Sequence, residues 1–342
     1  MGNILITGGF GYIGSHIVTI LAKKKIDFVI YDNFCNSKKG VIKRLEKIIN
    51  KKVKYEIGDI QDKYNLIKVI KKYKVKSVIH LAAFKSVENS ILNATEFYEN
   101  NVCGSINLLS AMKITGVKKL LFSSTAAIYG EPEYCPIDEN HPLKTLNPYG
   151  NTKLLIEKIL NDIFINEKDW SIISLRYFNP VGSHPSGLIG DDPLILKGTN
   201  LMPAILKVVK GDKEFVEVFG KDYDTPDGSG IRDYIHIMDL ASAHVDAVDF
   251  LQKKNICEVF NIGTGNGVSV LQIIKKFEDA CRIKIPIVFR PRREGDSSCC
   301  YADPTKAKKM LNWEAKLDIK TMCLSSWKFS NNSSEKLKEI SY

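Results

Sequence analysis

Apolar and polar positions along the first half of the chain follow two rhythms in turn. Short apolar runs at 3–7, 28–31, 53–57 and 76–81 are separated by stretches at 12–24, 39–50 and 63–72 whose apolar residues recur every three or four positions. The short runs predict buried strands and the spaced ones amphipathic helices. Such alternation specifies a parallel sheet with helices on both faces. It continues through a long helical stretch near 88–115, a strand at 118–123, a helix from Tyr149 to about 166 and a strand at 171–176. A doubly wound α/β domain, Rossmann-like in its order, is therefore expected over residues 1–176.

Beyond Arg176 the texture changes to Gly- and Pro-rich connections, as in Pro180 to Gly187, and to shorter elements. That predicts a smaller α/β lobe over 177–330, with 235–261 reading as strand, helix and strand and returning to the first domain. Residues 331–342, with Asn331-Asn332-Ser333-Ser334, read as a frayed tail.

At 342 residues, with a hydrophobic fraction of 44%, the chain can bury a sizeable core. Its net charge of +10 could suit nucleic acid or a membrane surface, but lysines such as Lys68, Lys71, Lys72 and Lys74 belong to amphipathic helices and read as a solvated face. Neither nucleic acid nor membrane is expected as a partner, and the charge would help draw an anionic substrate to a cleft. The eight cysteines form no Cys-x-x-Cys pair and no His cluster accompanies them, so reduced thiols in a cytoplasmic protein are expected, and no metal. The start, Asn3-Ile4-Leu5-Ile6-Thr7, lacks the pattern of a secretory leader.

Two motifs carry chemistry. Gly9-Phe10-Gly11-Tyr12-Ile13-Gly14 follows an apolar strand and opens a helix, where free backbone N–H groups and the helix dipole can receive a pyrophosphate. Asp32 ends the second predicted strand, eighteen residues after Gly14, where a carboxylate would bond ribose hydroxyls and repel a 2′-phosphate. That favours NAD over NADP. Asn147-Pro148-Tyr149-Gly150-Asn151-Thr152-Lys153 places a phenol and an ammonium four residues apart at a helix start, on one face. A lysine beside a tyrosine favours phenolate, which would make Tyr149 a proton shuttle near neutral pH. His80, His236 and His244 read as structural hydrogen-bonding residues, and Trp170, Trp313 and Trp327 as core fillers.

With these motifs in place, the chain from Asn3 to about Lys328 resembles the extended short-chain dehydrogenase/reductase family, and within it the sugar-nucleotide 4-epimerases. The resemblance rests on Thr7 to His16, Asp32 to Ser37, Gly58-Asp59-Ile60, His80 to Ala83, Phe122 to Thr125, Tyr149 to Lys153, Leu175 to Pro180, Asn200 to Pro203, Arg232 to His236 and Pro291 to Asp296. It implies NAD contacted by Gly8, Gly11, Tyr12, Ile13, Gly14, Asp32, Asn33, Asn36, Ser37, Asp59, Ile60, Leu81, Ala83, Lys85, Asn100, Tyr149, Lys153 and Phe178, with Asp59 on the adenine. It implies a UDP-sugar held by Thr125, Tyr149, Asn179, Asn200, Leu201, Phe219, Arg232, Tyr234, Arg293, Asp296 and Cys300. Two guanidinium groups suit a diphosphate, which they meet by charge-assisted bonds.

The implied reaction is reversible epimerisation at C4 of a UDP-hexose, UDP-glucose or UDP-galactose, through a transient 4-keto sugar. Tyr149 would move the 4-hydroxyl proton, Thr125 would bond the same oxygen, and Lys153 would hold the nicotinamide ribose and, with the positive charge of NAD, lower the Tyr149 pKa. Thr125 stands where the family commonly has serine. Related dehydratases follow their threonine with an Asp-Glu pair, whereas Ala126 and Ala127 follow here. Cys300 aligns with a tyrosine of members restricted to unacetylated sugars, so acceptance of UDP-N-acetylglucosamine and UDP-N-acetylgalactosamine is expected as well. A UDP-sugar decarboxylase or dehydratase on the same fold, or an NAD-binding sensor without activity, are the competing readings. The family resemblance further implies a homodimer, formed through the helices near 91–115 and 149–166.

Overall fold

The computed structural model describes residues 2–192, 200–253, 255–293 and 295–336. The first half of the chain lays down β1 (Asn3–Thr7), α1 (Tyr12–Lys23), β2 (Phe28–Asp32), α2 (Gly40–Ile49), β3 (Tyr55–Ile57), α3 (Lys63–Lys72) and β4 (Val75–His80). There follow α4 (Val87–Leu92), α5 (Ala94–Phe97), a π-helical turn (Tyr98–Cys103), α6 (Gly104–Thr115), β5 (Lys119–Thr125), α7 (Pro148–Asn166) and β6 (Ser171–Tyr177). The remainder contributes β7 (Asn179–Val181), α8 (Leu201–Val209), β8 (Val216–Phe219), β9 (Ile231–His236), α9 (Ile237–Leu251), β10 (Cys257–Ile262) and β11 (Gly267–Ser269). It closes with α10 (Val270–Cys281), β12 (Ile287–Arg290), β13 (Cys299–Cys300), α11 (Thr305–Leu311) and α12 (Ile319–Lys336).

Seven parallel strands, in the order β10-β6-β5-β4-β1-β2-β3, form the main sheet. Alternate residues of each strand face opposite sides, so each side has its own core. Ile4, Ile6, Ile30, Ile79 and Leu121 pack with Ile17 and Leu21 of α1 and Val245 and Val248 of α9. Leu5, Val29, Val78, Leu120 and Phe122 pack with Leu66 of α3, Leu108 and Met112 of α6 and Ile156 of α7. This is the doubly wound α/β fold expected from the rhythm, and the strand order reverses between β1 and β4. A crevice opens there at the carboxyl ends of the strands.

The second lobe contains a small sheet of β11, β9, β13 and β7, with β8 and β12 pairing separately. The strand–helix–strand expected at 235–261 is present, but its parts separate. β10 joins β6 in the main sheet and α9 packs on α1, whereas β9 stays in the small sheet. The helical stretch at 88–115 is broken into four pieces, including the π-turn, where Asn101 bonds the Phe84 backbone and Thr152 instead of continuing a regular surface. The expected tail is helical through Lys336, as the end of α12, and its last six residues lie outside the described residues. His80 is structural as expected: Ser105 donates to the Asn101 carbonyl, so His80 Nε2–H donates to Ser105 and Nδ1 accepts from Thr7.

A buried ion pair joins α7 to β6. Arg176 Nη2 lies 2.7 Å from Glu157 Oε2, with the side chains only 5% and 8% exposed, and Arg176 also donates to the Tyr129 hydroxyl. Removing one partner strands the other charge away from water. Glu157→Ala should therefore cost about 3–5 kcal/mol of stability in urea unfolding, and a loss below about 1 kcal/mol, the range of an exposed pair, would contradict this assignment.

Candidate active site

The glycine loop between β1 and α1 is shaped by contacts that only glycine permits. Gly8 has φ +69° and its missing Cβ would lie 2.8 Å from Ala82 N, while a Cβ on Gly14 would lie 2.5 Å from the Gly8 carbonyl. Gly11 caps α1 without any side-chain hydrogen bond, which leaves first-turn N–H groups facing the crevice. Asp32 accepts from Phe10 N at 2.9 Å and from Phe34 N at 2.8 Å, so it ties this loop to the one after β2. Burial raises its pKa, and the two backbone donors oppose that.

The crevice is lined by Gly8, Gly11, Tyr12, Ile13, Gly14, Asp32, Asn33, Asn36, Ser37, Ile60, Leu81, Ala83, Lys85, Asn100, Tyr149 and Lys153 of the residues predicted for the cofactor. Asp59 stands beside it, accepting from Asn33 Nδ2 at 2.8 Å. Phe178 does not join them. β6 ends at Tyr177, which faces the crevice, and the next side chain points away into a cluster with Ala126, Ile128, Tyr129 and Ile137. The set fits a nicotinamide dinucleotide: a cradle a Cβ would fill, a carboxylate at the end of β2, and the buried Ser37 hydroxyl, which has no protein partner.

Several crevice residues escaped the sequence reading. Asp191 faces Lys85 at 4.0 Å, and the Lys85 ammonium lies 5.8 Å from the Tyr12 ring centroid. Arg44 of α2 lines the crevice with Nε buried and unbonded. Burial lowers its pKa, and the charge of Asp192 opposes this. Asp191 and Asp192 come from a connection distant in sequence, and no local motif marks them.

At the inner end, Asn147 Oδ1 accepts from Gly150 N at 2.9 Å and Pro148 occupies the first turn, which fixes where α7 begins. A Cβ on Gly150 would lie 2.9 Å from the Ala127 carbonyl, so the first turn sits directly on the 3₁₀ turn Ala126–Ile128 after β5. The Tyr149 phenol comes under the influence of the Thr125 hydroxyl at this point. Lys153, 3% exposed, donates to the Ser123 carbonyl at 2.7 Å and stands 4.9 Å from the Phe122 ring centroid.

Burial comes first in the electrostatics of this pair. Burial raises the Tyr149 pKa, opposed by the Thr125 hydrogen bond, and no lowering by Lys153 accompanies it. Burial also pulls Lys153 down to about 7, only partly countered by Glu157. A desolvated ammonium is a weak source of positive charge near neutral pH, and the phenol is itself desolvated.

The residues predicted for the sugar nucleotide lie mainly in the second lobe. Asp296 holds two guanidinium groups, Arg293 at 3.0 Å and Arg232 at 3.9 Å, and Arg293 stacks 5.1 Å from the Phe219 ring centroid. Cys300 is opposite Arg232 in the β13–β9 pair, and Asn179 is opposite Tyr234 in the β7–β9 pair. Asn200 precedes α8, which Leu201 opens. Cys300 also packs against the cluster that contains Ala126, Ile128 and Tyr129, which follows Thr125 in the chain and joins this group to the catalytic end of β5.

Comparison with known proteins agrees with this arrangement. The family model for GDP-mannose 4,6 dehydratase matches residues 5–325. The UDP-glucose 4-epimerase of Bacillus subtilis (strain 168) is 43% identical over 329 residues, covering 96% of this chain and 97% of its own. A UDP-glucose-4-epimerase from Stenotrophomonas maltophila, with bound NAD and formylated UDP-arabinopyranose, superposes with a TM-score of 0.95 at 41% identity, over 98% of this chain and 99% of that one. That from Bifidobacterium longum, in complex with NAD+ and UDP, gives 0.93 at 44% identity, over 97% and 99%. The chain belongs to the extended short-chain dehydrogenase/reductase family and, within it, to the UDP-glucose 4-epimerases.

The depressed pKa of Lys153 has a thermodynamic consequence. Between about 7 in the folded protein and the ordinary 10.5, the unfolded chain binds more protons at this site, so its contribution to stability rises with pH. In urea unfolding, the ligand-free parent should gain stability relative to Lys153→Met as pH rises from neutral toward the ordinary lysine range. Parallel pH profiles for the two proteins would contradict the burial argument.

Proposed function

We infer that this chain is an NAD-dependent isomerase that interconverts UDP-glucose and UDP-galactose through a transient 4-keto sugar. The observation that carries the reading is the gathering of Tyr149, Thr125 and Lys153 at the inner end of a dinucleotide crevice, beside a second lobe bearing paired arginines.

The N–H groups of the glycine loop and the first turn of α1 hold the pyrophosphate, while Asp32, Asn33 and Asp59 bind the adenosine end. Bound NAD supplies a reversible hydride acceptor for C4 of the sugar. Tyr149 takes the proton of the 4-hydroxyl and later returns it, and Thr125 holds the same oxygen in line. Lys153 is buried in the same crevice, where it would hold the nicotinamide ribose, and the positive charge of NAD would favour the phenolate form against the burial that opposes it. Arg232 and Arg293, held apart by Asp296, grip the UDP diphosphate. Asn179, Asn200, Leu201, Phe219 and Tyr234 complete the grip, so the keto sugar can turn while its nucleotide stays fixed. Dehydration and decarboxylation need a further acid/base pair after Thr125, and Ala126 and Ala127 supply none.

Cys300 leaves space at the sugar side, so N-acetylated UDP-sugars are substrates too. The active form is a homodimer, supported by exposed Leu92, Tyr98, Ile106 and Leu155 on α4, the π-turn, α6 and α7. Its setting is the cytoplasm, in keeping with eight free cysteines and no helix long and apolar enough to cross a membrane among the described residues.

One comparison tests this reading. Products from UDP-galactose and UDP-N-acetylgalactosamine, without added reductant, are measured for the parent, Tyr149→Phe and Cys300→Tyr. The parent should convert both, Tyr149→Phe neither while keeping its nucleotide, and Cys300→Tyr only UDP-galactose. A parent that converts neither sugar, or an active Tyr149→Phe, would overturn the mechanism, and a Cys300→Tyr enzyme that keeps both activities would end the pocket argument.

A further inference from the structure

The loop that follows Thr125 and the 3₁₀ turn runs beside β13 in the same direction. Ile137 N donates to the Tyr301 carbonyl at 2.8 Å, Asp303 N donates to the Ile137 carbonyl at 2.7 Å, and Ile137 and Ala302 form a parallel bridge. Two residues before Ile137, Cys135 lies beside the Cys299 backbone. The Cys135 thiol lies 3.7 Å from the Cys299 carbonyl, to which it donates, and the two thiols act on each other electrostatically. Both are half-buried. We propose that Cys135 and Cys299 form a reversible dithiol/disulfide site at the sugar side of the cleft, closed by exchange with a small-molecule disulfide.

The exchange runs in two steps. The Cys135 thiolate attacks one sulfur of R–S–S–R, whose S–S bond breaks, and R–S⁻ leaves and takes a proton from water. Cys299 then gives its proton to solvent base and attacks the Cys135 sulfur, expelling the second R–S⁻. Two protein thiols are oxidised and one small disulfide becomes two thiols. Burial pushes the Cys299 and Cys300 thiols up to about 12, so closure is faster as pH rises above neutral.

The closed form pins functional strands together. Cys299 is opposite Ile231 and Cys300 opposite Arg232 in the β13–β9 pair, so the disulfide fastens the strand beside the diphosphate grip to the loop that leaves the catalytic threonine. Arg232 and the Cys300 wall lose the freedom to adjust around the sugar nucleotide. A several-fold fall in kcat/KM follows, with dinucleotide content unchanged.

The experiment treats the NAD-loaded protein with oxidised glutathione at mildly alkaline pH and reads intact mass and unreduced peptide maps for the parent, Cys135→Ser and Cys299→Ser. The parent should lose two hydrogen masses and yield a peptide joined through Cys135 and Cys299. Cys299→Ser should instead retain a glutathione adduct on Cys135, and Cys135→Ser should show neither. Adducts confined to the exposed Cys35 and Cys103, or a crosslink between any other pair, would overturn the proposal. Parent activity on UDP-galactose should fall several-fold and return with dithiothreitol, while Cys135→Ser is unaffected by the oxidant. A complete disulfide with unchanged activity would remove the control of the cleft. The mass readout is independent of substrate, so its failure is distinct from a failure of the epimerase reading.

Discussion

The catalytic end depends on how closely the first turn of α7 lies on the end of β5. Two features enforce the approach. The Asn147 cap and Pro148 start the helix at one position, and Gly150 lets the backbone press against the Ala127 carbonyl where any side chain would collide. Further along the same helix, Glu157 reaches Arg176 and Ser124, so a buried charge network fixes the angle of α7 against β5 and β6. Tyr149 and Lys153 are thereby delivered to the crevice from one face of a helix held at both points. Their burial has a cost, visible in the raised phenol and the depressed ammonium.

Charge elsewhere follows the same economy of placement. Lysines occupy the last turns of α1, α2, α3, α6, α8 and α11, at Lys23, Lys47, Lys71, Lys72, Lys113, Lys207 and Lys308, where the carbonyl ends of the helices favour cations. Part of the net charge of +10 thus answers helix dipoles. The arginines of the second lobe differ. Arg232 and Arg293 share Asp296, which orients both guanidinium groups while leaving an excess of positive charge for a diphosphate.

Much of this was legible in the sequence because it is local. The strand and helix rhythm, the glycine loop and the start of α7 each rest on residues within a few positions of one another, and α3 spans the residues its periodicity marked. What could not be read depends on partners far along the chain. The π-turn exists because Asn101 finds Phe84 and Thr152. β9 and β10 separate because one meets β7 and the other β6. Arg44, Asp191 and Asp192 enter the crevice from connections that no spacing rule links. The balance at Tyr149 is not read from Tyr-x-x-x-Lys spacing for a different reason: spacing gives proximity, whereas burial acts first on the phenol.

The central claim is that hydrogen leaves and returns to one carbon inside a closed crevice, with only the hydroxyl proton passing through Tyr149. The most direct measurement is the fate of deuterium at C4 when UDP-[4-²H]galactose is converted in ordinary water. UDP-glucose should retain the deuterium at C4. Replacement of that deuterium by solvent hydrogen would contradict it.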